Sequence, residues 1–248
     1  MKCRGLAVVL ALALAGCGDA PTPEPSASPQ GNATTGAIRC FVAGDLEFAP
    51  GEGEPAPAPT YEHAILAFGD SLFAGYGLCP EQGYPEQLQV ALQHLGRSVQ
   101  VIDAGVSGDT TAAGLQRIKF VLDAQETPPD LVLIELGGND LLRGISPAET
   151  RDNLTAILTE LQKRNIPVLL MGMRAPPNLG EAYVAEFDGI YPALAKRFGA
   201  KLVPFFLEPV YDKPALIQQD RVHPTAEGIE AIVAATADNV ATALPARR

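Results

Sequence analysis

From Ala64 onward the chain alternates between short, nearly continuous apolar runs and longer stretches whose apolar residues recur at helical spacing. Five runs read as strands: residues 64–68, 99–103, 131–136, 168–171 and 201–204. Between and after them, residues 84–95, 110–121, 148–164, 182–198 and 224–243 read as helices. Strands that are apolar on both faces, each separated from the next by a helix, predict a parallel sheet covered on both sides, an α/β fold. Right-handed crossovers carry the carboxyl ends of such strands to one edge, where a ligand crevice is expected. At 248 residues the chain has length for one such domain plus ends, and it contains no internal repeat.

The ends differ in kind from this body. Lys2 and Arg4 followed by the apolar run 6–15 make a targeting segment, too short to remain as a membrane-spanning helix. Leu14-Ala15-Gly16-Cys17 resembles a bacterial lipoprotein signal, cut before a cysteine that then carries lipid. Residues 1–16 are therefore expected to leave and Cys17 to be the lipidation site, anchoring the protein to a membrane. An ordinary secretory signal is the other reading. Gly18 after that cysteine, by resemblance, favours the outer membrane over inner-membrane retention, so the expected location is periplasmic or outer-membrane-anchored. Residues 17–60 are rich in Pro, Ser, Thr, Gly and Ala and read as a tether, with a more apolar clip at 37–48. The catalytic domain is expected over residues 61–248. With Cys3 removed and Cys17 lipidated, Cys40 and Cys79 remain, either as two thiols or, as an oxidising compartment favours, as a disulfide.

A formal net charge of -11 argues against a nucleic-acid partner and offers no basic face to acidic lipid. No phosphate-cradling Gly-x-Gly-x-x-Gly follows a strand, which excludes the common nucleotide-binding use of such a sheet.

Four fragments fall at the expected crevice edge: Gly69-Asp70-Ser71-Leu72, Val106-Ser107-Gly108-Asp109, Gly137-Gly138-Asn139-Asp140 and Asp220-Arg221-Val222-His223. Ser71 is expected where a strand turns into a helix, with its hydroxyl at the sheet edge and its N–H near a helix N-terminus. Phe73 replaces the second glycine of a Gly-x-Ser-x-Gly elbow, so the fragment is not that motif. Gly108 offers an unobstructed N–H, and Asn139 a side-chain amide. Taken singly, these three are ordinary caps and turns. His223 is one of three histidines, three residues after Asp220 and followed by Pro224, which can open the last helix. That spacing lets a carboxylate hold Nδ1 while Nε2 faces a nucleophile. A hydroxyl, a base with its orienting carboxylate, and donors for an oxyanion are what acyl transfer requires.

Together the four fragments resemble the SGNH (GDSL-type) hydrolase family over residues 64–240. Phe68-Gly69-Asp70-Ser71-Leu72, Asn178-Leu179-Gly180, Pro204-Phe205-Phe206-Leu207 and Gln218-Gln219-Asp220 resemble its bacterial periplasmic thioesterase/lysophospholipase/arylesterase branch. The resemblance implies a three-layer α/β/α, flavodoxin-like fold with five parallel strands in the order 2-1-3-4-5. It implies Ser71 as nucleophile, His223 as base and Asp220 as its orienter. The oxyanion hole would comprise the Ser71 and Gly108 N–H groups and the Asn139 amide. No metal and no organic cofactor are implied. The lipoprotein-like start and the long extension with Cys40 depart from that branch.

The expected activity is hydrolysis of acyl esters or thioesters through an acyl-enzyme on Ser71, by a monomer acting on a small acyl ester, thioester or lysolipid. Activity should fail on the acid side as His223 protonates. Leu78, Leu142, Ile145, Met173, Pro176, Leu179 and Tyr183 follow motif or strand ends and are candidates for an apolar acyl groove. The absence of Trp disfavours a carbohydrate platform. A carbohydrate O-acetylesterase sharing the triad is the alternative enzyme, and a surface lipoprotein that only binds is the alternative outside enzymes.

Overall fold

The computed structural model describes Cys40 and residues 60–246. The expected signal segment, Cys17 and all of the tether except Cys40 and Thr60 lie outside the described residues, as do the last two residues. Five strands form one parallel sheet: β1 His63–Gly69, β2 Val99–Gly105, β3 Leu131–Glu135, β4 Val168–Met171 and β5 Lys201–Val203. Their order is β2-β1-β3-β4-β5, the flavodoxin-like order that the family resemblance implies. Ile65, Leu66, Ala67 and Phe68 of β1 and all of β3 are buried, which explains their unbroken apolar runs.

Among the described residues seven α-helices accompany the sheet: α1 Tyr84–His94, α2 Thr111–Asp123, α3 Gly138–Leu142, α4 Pro147–Lys163, α5 Glu181–Asp188, α6 Ile190–Phe198 and α7 Ala226–Ala243. α1 packs on α7, while α2 packs on α4 and α4 on α6. Side-chain caps fix three starts: Thr110 accepts from Ala113 N–H, Ser146 from Glu149 N–H and Thr225 from Gly228 N–H.

Three sequence expectations are corrected. The helix expected over 182–198 is two helices, interrupted at Gly189, which ends one and precedes the other. Pro224 does not open the last helix. It pairs with Ile217 in an antiparallel bridge, and Thr225 caps a helix beginning at Ala226. No helix follows Ser71 directly: the chain makes a single turn, with Ala74 N–H donating to Asp70 O and Tyr76 N–H to Ser71 O. Gly75 and Gly77, both at positive φ, stop that turn from propagating. Phe73, within the same turn, explains the missing elbow glycine. Its ring is fully buried, stacked on Tyr84 at 5.0 Å and edge-on to Phe206 at 5.7 Å. It anchors the serine's turn to the core, a burial of about 1.5–3 kcal/mol.

Beyond the sheet, the sulfurs of Cys40 and Cys79 are bonded, with Cα atoms 5.4 Å apart. Cys79 is buried and lies three residues past Tyr76.

Candidate active site

Sheet register brings the motifs together. Gly69 at the end of β1 stands level with Gly105 of β2 on one side and Glu135 of β3 on the other. The segments that follow these residues carry Ser71, Gly108 and Asn139 to one edge. The loop before α7 delivers Asp220 and His223 to the same place.

Ser71 Oγ lies 2.8 Å from His223 Nε2, and His223 Nδ1 lies 2.7 Å from Asp220 Oδ2. The second Asp220 oxygen accepts the main-chain N–H groups of Val222 at 2.9 Å and His223 at 3.0 Å. The carboxylate thus braces the loop while holding the imidazole. Partial burial pushes the Asp220 carboxyl up, but hydrogen bonds from His223 and Val222, with the imidazole charge, outweigh it and hold it below the usual carboxylate range. Gln218 Nε2 donates to Tyr76 O and Pro224 O, both at 2.8 Å, tying the histidine loop to the serine turn. Tyr76 leans on the imidazole with ring centres 4.4 Å apart.

Across the serine, Gly108 occupies the third position of a turn closed by Asp109 N–H to Val106 O at 3.1 Å. Its φ of 86° is a conformation that L side chains rarely adopt, so the turn requires glycine. Arg143 donates to the Gly108 carbonyl at 2.7 Å, which fixes the plane of that peptide from outside. Among the described residues neither the Ser71 nor the Gly108 N–H has a partner within the protein. Asn139 is the second residue of α3, after Gly137 at φ 116°. A Cβ at Gly137 would come within 2.2 Å of the Tyr191 hydroxyl, which donates to Leu136 O. Asn139 Nδ2 donates to Asp70 Oδ2 at 2.9 Å.

Two side chains, one buried and one half-buried, lock these loops. Asp140 accepts Thr111 N–H at 2.8 Å and the hydroxyls of Thr111 and Thr150, joining α3 to α2 and α4. Arg117 reaches from α2 under the strand ends, donating to Gly69 O and Ala104 O at 2.8 Å each and pairing with Asp109. Its guanidinium also lies 3.9 Å from the centre of the Phe68 ring. Five elements, β1, β2, α2, α3 and α4, are thereby tied at the edge where a substrate would sit.

A groove of about 420 Å3 opens over Ser71, Gly108, Asn139 and His223. Of the seven apolar residues expected from sequence, Leu142, Met173 and Pro176 line it. Leu78, Ile145, Leu179 and Tyr183 do not. Leu78 packs on the core, Tyr183 stacks beside Phe187 and donates its hydroxyl to Ile145 O, and Leu179 is exposed. Much of the wall is instead Phe205, Leu207, Val210, Tyr211 and Ile217. Position was the signal: residues 205–217 follow the carboxyl end of the last strand, where a crevice wall belongs. Among the described residues no group of His, Cys, Asp and Glu is arranged to hold a metal ion.

The parallel sheet and this serine–histidine–aspartate chain at its carboxyl edge define a serine hydrolase with a flavodoxin-like sheet. A model of the GDSL-like lipase/acylhydrolase family matches residues 67–231, and the chain belongs to that family, whose members act on esters. It is 45% identical over 163 residues to an arylesterase of Vibrio mimicus, covering 66% of this chain and 80% of the relative. It is 42% identical over 160 residues to the thioesterase 1/protease 1/lysophospholipase L1 of Escherichia coli K12, covering 64% and 74%. Among solved structures, the SGNH-hydrolase family esterase AlinE4 is 67% identical, with a TM-score of 0.63 over 74% of this chain and 97% of that one.

Proposed function

We propose that Ser71 Oγ attacks the carbonyl of an acyl ester or thioester while His223 Nε2 takes its proton and Asp220 steadies the imidazolium. The oxyanion is received by the Ser71 and Gly108 N–H groups and the second N–H of Asn139 Nδ2. His223 then gives its proton to the leaving alcohol or thiol, and the acyl group remains on Ser71. A water loses its proton to His223, attacks the acyl carbon and releases the acid, with the proton returning to Ser71. The Asp220–His223–Ser71 chain, with separations of 2.7 and 2.8 Å, carries this reading. The groove supports acyl chains over acetyl groups on sugar, since most of its lining surface is aliphatic and aromatic.

Ser71→Ala should lower kcat on a short p-nitrophenyl ester at least about ten-thousandfold with an unchanged melting curve. Retained turnover refutes the assignment. A chain-length series of p-nitrophenyl esters and acyl-CoAs should show kcat/KM rising beyond acetyl; a maximum at acetyl favours the O-acetylesterase reading.

The same proposal makes the enzyme an exported monomer carried on a membrane by lipid at Cys17. Its support is the sequence ending in Cys17 and the Cys40–Cys79 bond, which suits an oxidising compartment. Among the described residues no helix is long and apolar enough to cross a membrane. Metabolic labelling with a fatty acid should mark the protein and fail to mark Cys17→Ala; equal labelling of both removes the anchor from the proposal.

A further inference from the structure

Behind the oxyanion side lie two carboxyl groups that no step above uses. Glu135 ends β3 and is fully buried. Its Oε2 accepts the Asp70 N–H at 3.2 Å, and a Cβ on Gly69 would stand 2.9 Å from the same oxygen. Glycine at 69 is thus what lets this acid sit against the serine's strand. Glu135 Oε1 accepts from no N–H or O–H donor among the described residues, which leaves it to carry a proton toward the Asp70 side chain. Asp70, 2% exposed, accepts Leu72 N–H at 3.0 Å on Oδ1 and Asn139 Nδ2–H at 2.9 Å on Oδ2. Asn139 has two such hydrogens. Holding one on Asp70 fixes the plane of the amide and leaves the other for the oxyanion.

The side chains of Glu135 and Asp70 lie against one another. Two adjacent carboxyls in a dry site cannot both ionise. Burial, and then the charge of Asp70, push Glu135 well above the usual range. Burial raises Asp70 as well, but the donors of Leu72, Glu135 and Asn139 and the charge of His223 work against it. The shared proton therefore rests on Glu135. The other titratable groups of this neighbourhood are Tyr191, Asp140 and Asp188 on the helix side and His223 across the site.

We propose that Glu135 is a positioning residue of the oxyanion hole: as a neutral acid it donates to the Asp70 carboxylate, and Asp70, so held, orients the Asn139 amide. This relay rests on the role proposed above for Asn139. It requires of residue 135 a donor, not a charge.

Steady-state kinetics on a short p-nitrophenyl ester test it with Glu135→Gln, Glu135→Met and Asn139→Ala. The glutamine amide replaces the lost O–H donor, so kcat should stay within about threefold of the parent. Methionine fills the space without donating, so kcat should fall about tenfold or more while KM stays within about threefold. In an Asn139→Ala background the methionine substitution should cost no more than about twofold, because the relay has lost its end. A folded Glu135→Met enzyme with parental kcat overturns the proposal, and so does an equal loss with and without Asn139. If Glu135→Met does not fold, infrared spectroscopy of the parent and Glu135→Gln decides: a neutral carboxylic acid band at neutral pH, lost in the variant, supports the relay, and its absence from the parent overturns it. Parental activity in Asn139→Ala refutes the reading of the oxyanion hole itself and the relay with it.

Discussion

The two sides of Ser71 are built on opposite plans. The histidine side is local: Asp220, Val222 and His223 brace one another within four residues, and more than a third of the Asp220 side chain meets solvent. The oxyanion side is assembled from the ends of β1, β2 and β3 and from α2, α3 and α4, through Asp70, Glu135, Asp140 and Arg117. The difference matches the tasks. A base must turn and exchange protons with a leaving group and with water, which a short hydrated loop allows. Oxyanion donors act by being in place before charge develops, which needs a stiff, dry support. Local bracing yields a part that can be disabled at little cost in stability; distributed bracing yields one whose buried braces also hold the fold.

Of the variants that separate the two sides, Asp220→Asn should give the largest effect and confine it to catalysis. The imidazole loses its orienting carboxylate, so kcat should fall about 10^3- to 10^4-fold. The thermal midpoint should shift little at neutral pH, because the remaining amide oxygen still accepts the loop N–H groups. A large loss of stability would show the histidine loop to be more deeply coupled than its contacts indicate. Asp140→Asn should do the reverse. It forces an N–H2 toward donors from Thr111 or Thr150, leaving a buried polar group unpaired at a cost of about 1–3 kcal/mol. Calorimetry should therefore show a midpoint lowered by several degrees, with a smaller loss of kcat than Asp220→Asn. An unchanged midpoint would mean that Asp140 is not the brace described.

The smallest effect is a divergence with pH. Asp220 is held below its ordinary value in the folded protein. Its contribution to stability is present above the unfolded value of about 3.9 and is lost as pH falls through the folded one. Glu135 is raised, so its contribution is complete below about 4.3 and is lost as pH rises through the folded value. Melting curves from acid to alkaline pH should show Glu135→Gln gaining on the parent as pH rises. Asp220→Asn should gain on the parent only toward acid pH. Parallel curves for both variants would erase the distinction between the two sides.

The sequence was legible wherever the physics was short-range. Nearly continuous apolar runs mark all five strands, and the three-residue spacing marks Asp220 and His223, because strand burial and a one-turn loop both leave local patterns. Asn139 and Gly108 were visible as turn residues, but their support was not. Arg117 reads as an ordinary helical arginine until β1 and β2 are laid side by side. Glu135 is the one charged residue in the apolar run 131–136, and only register against Gly69 shows where its buried carboxyl lies. The groove wall from Phe205 to Ile217 has no periodicity to read, since its residues face a crevice rather than a helix or strand partner. Gly189 within a helical pattern was tolerated by periodicity but not by the chain.

The Cys40–Cys79 bond also acts on a state in which none of these contacts exists. It joins residues 39 apart in sequence, so it restricts the unfolded chain and favours folding by about 4 kcal/mol on chain-entropy grounds. Reduction of one bond would then lower the melting point without altering a single hydrogen bond at Ser71.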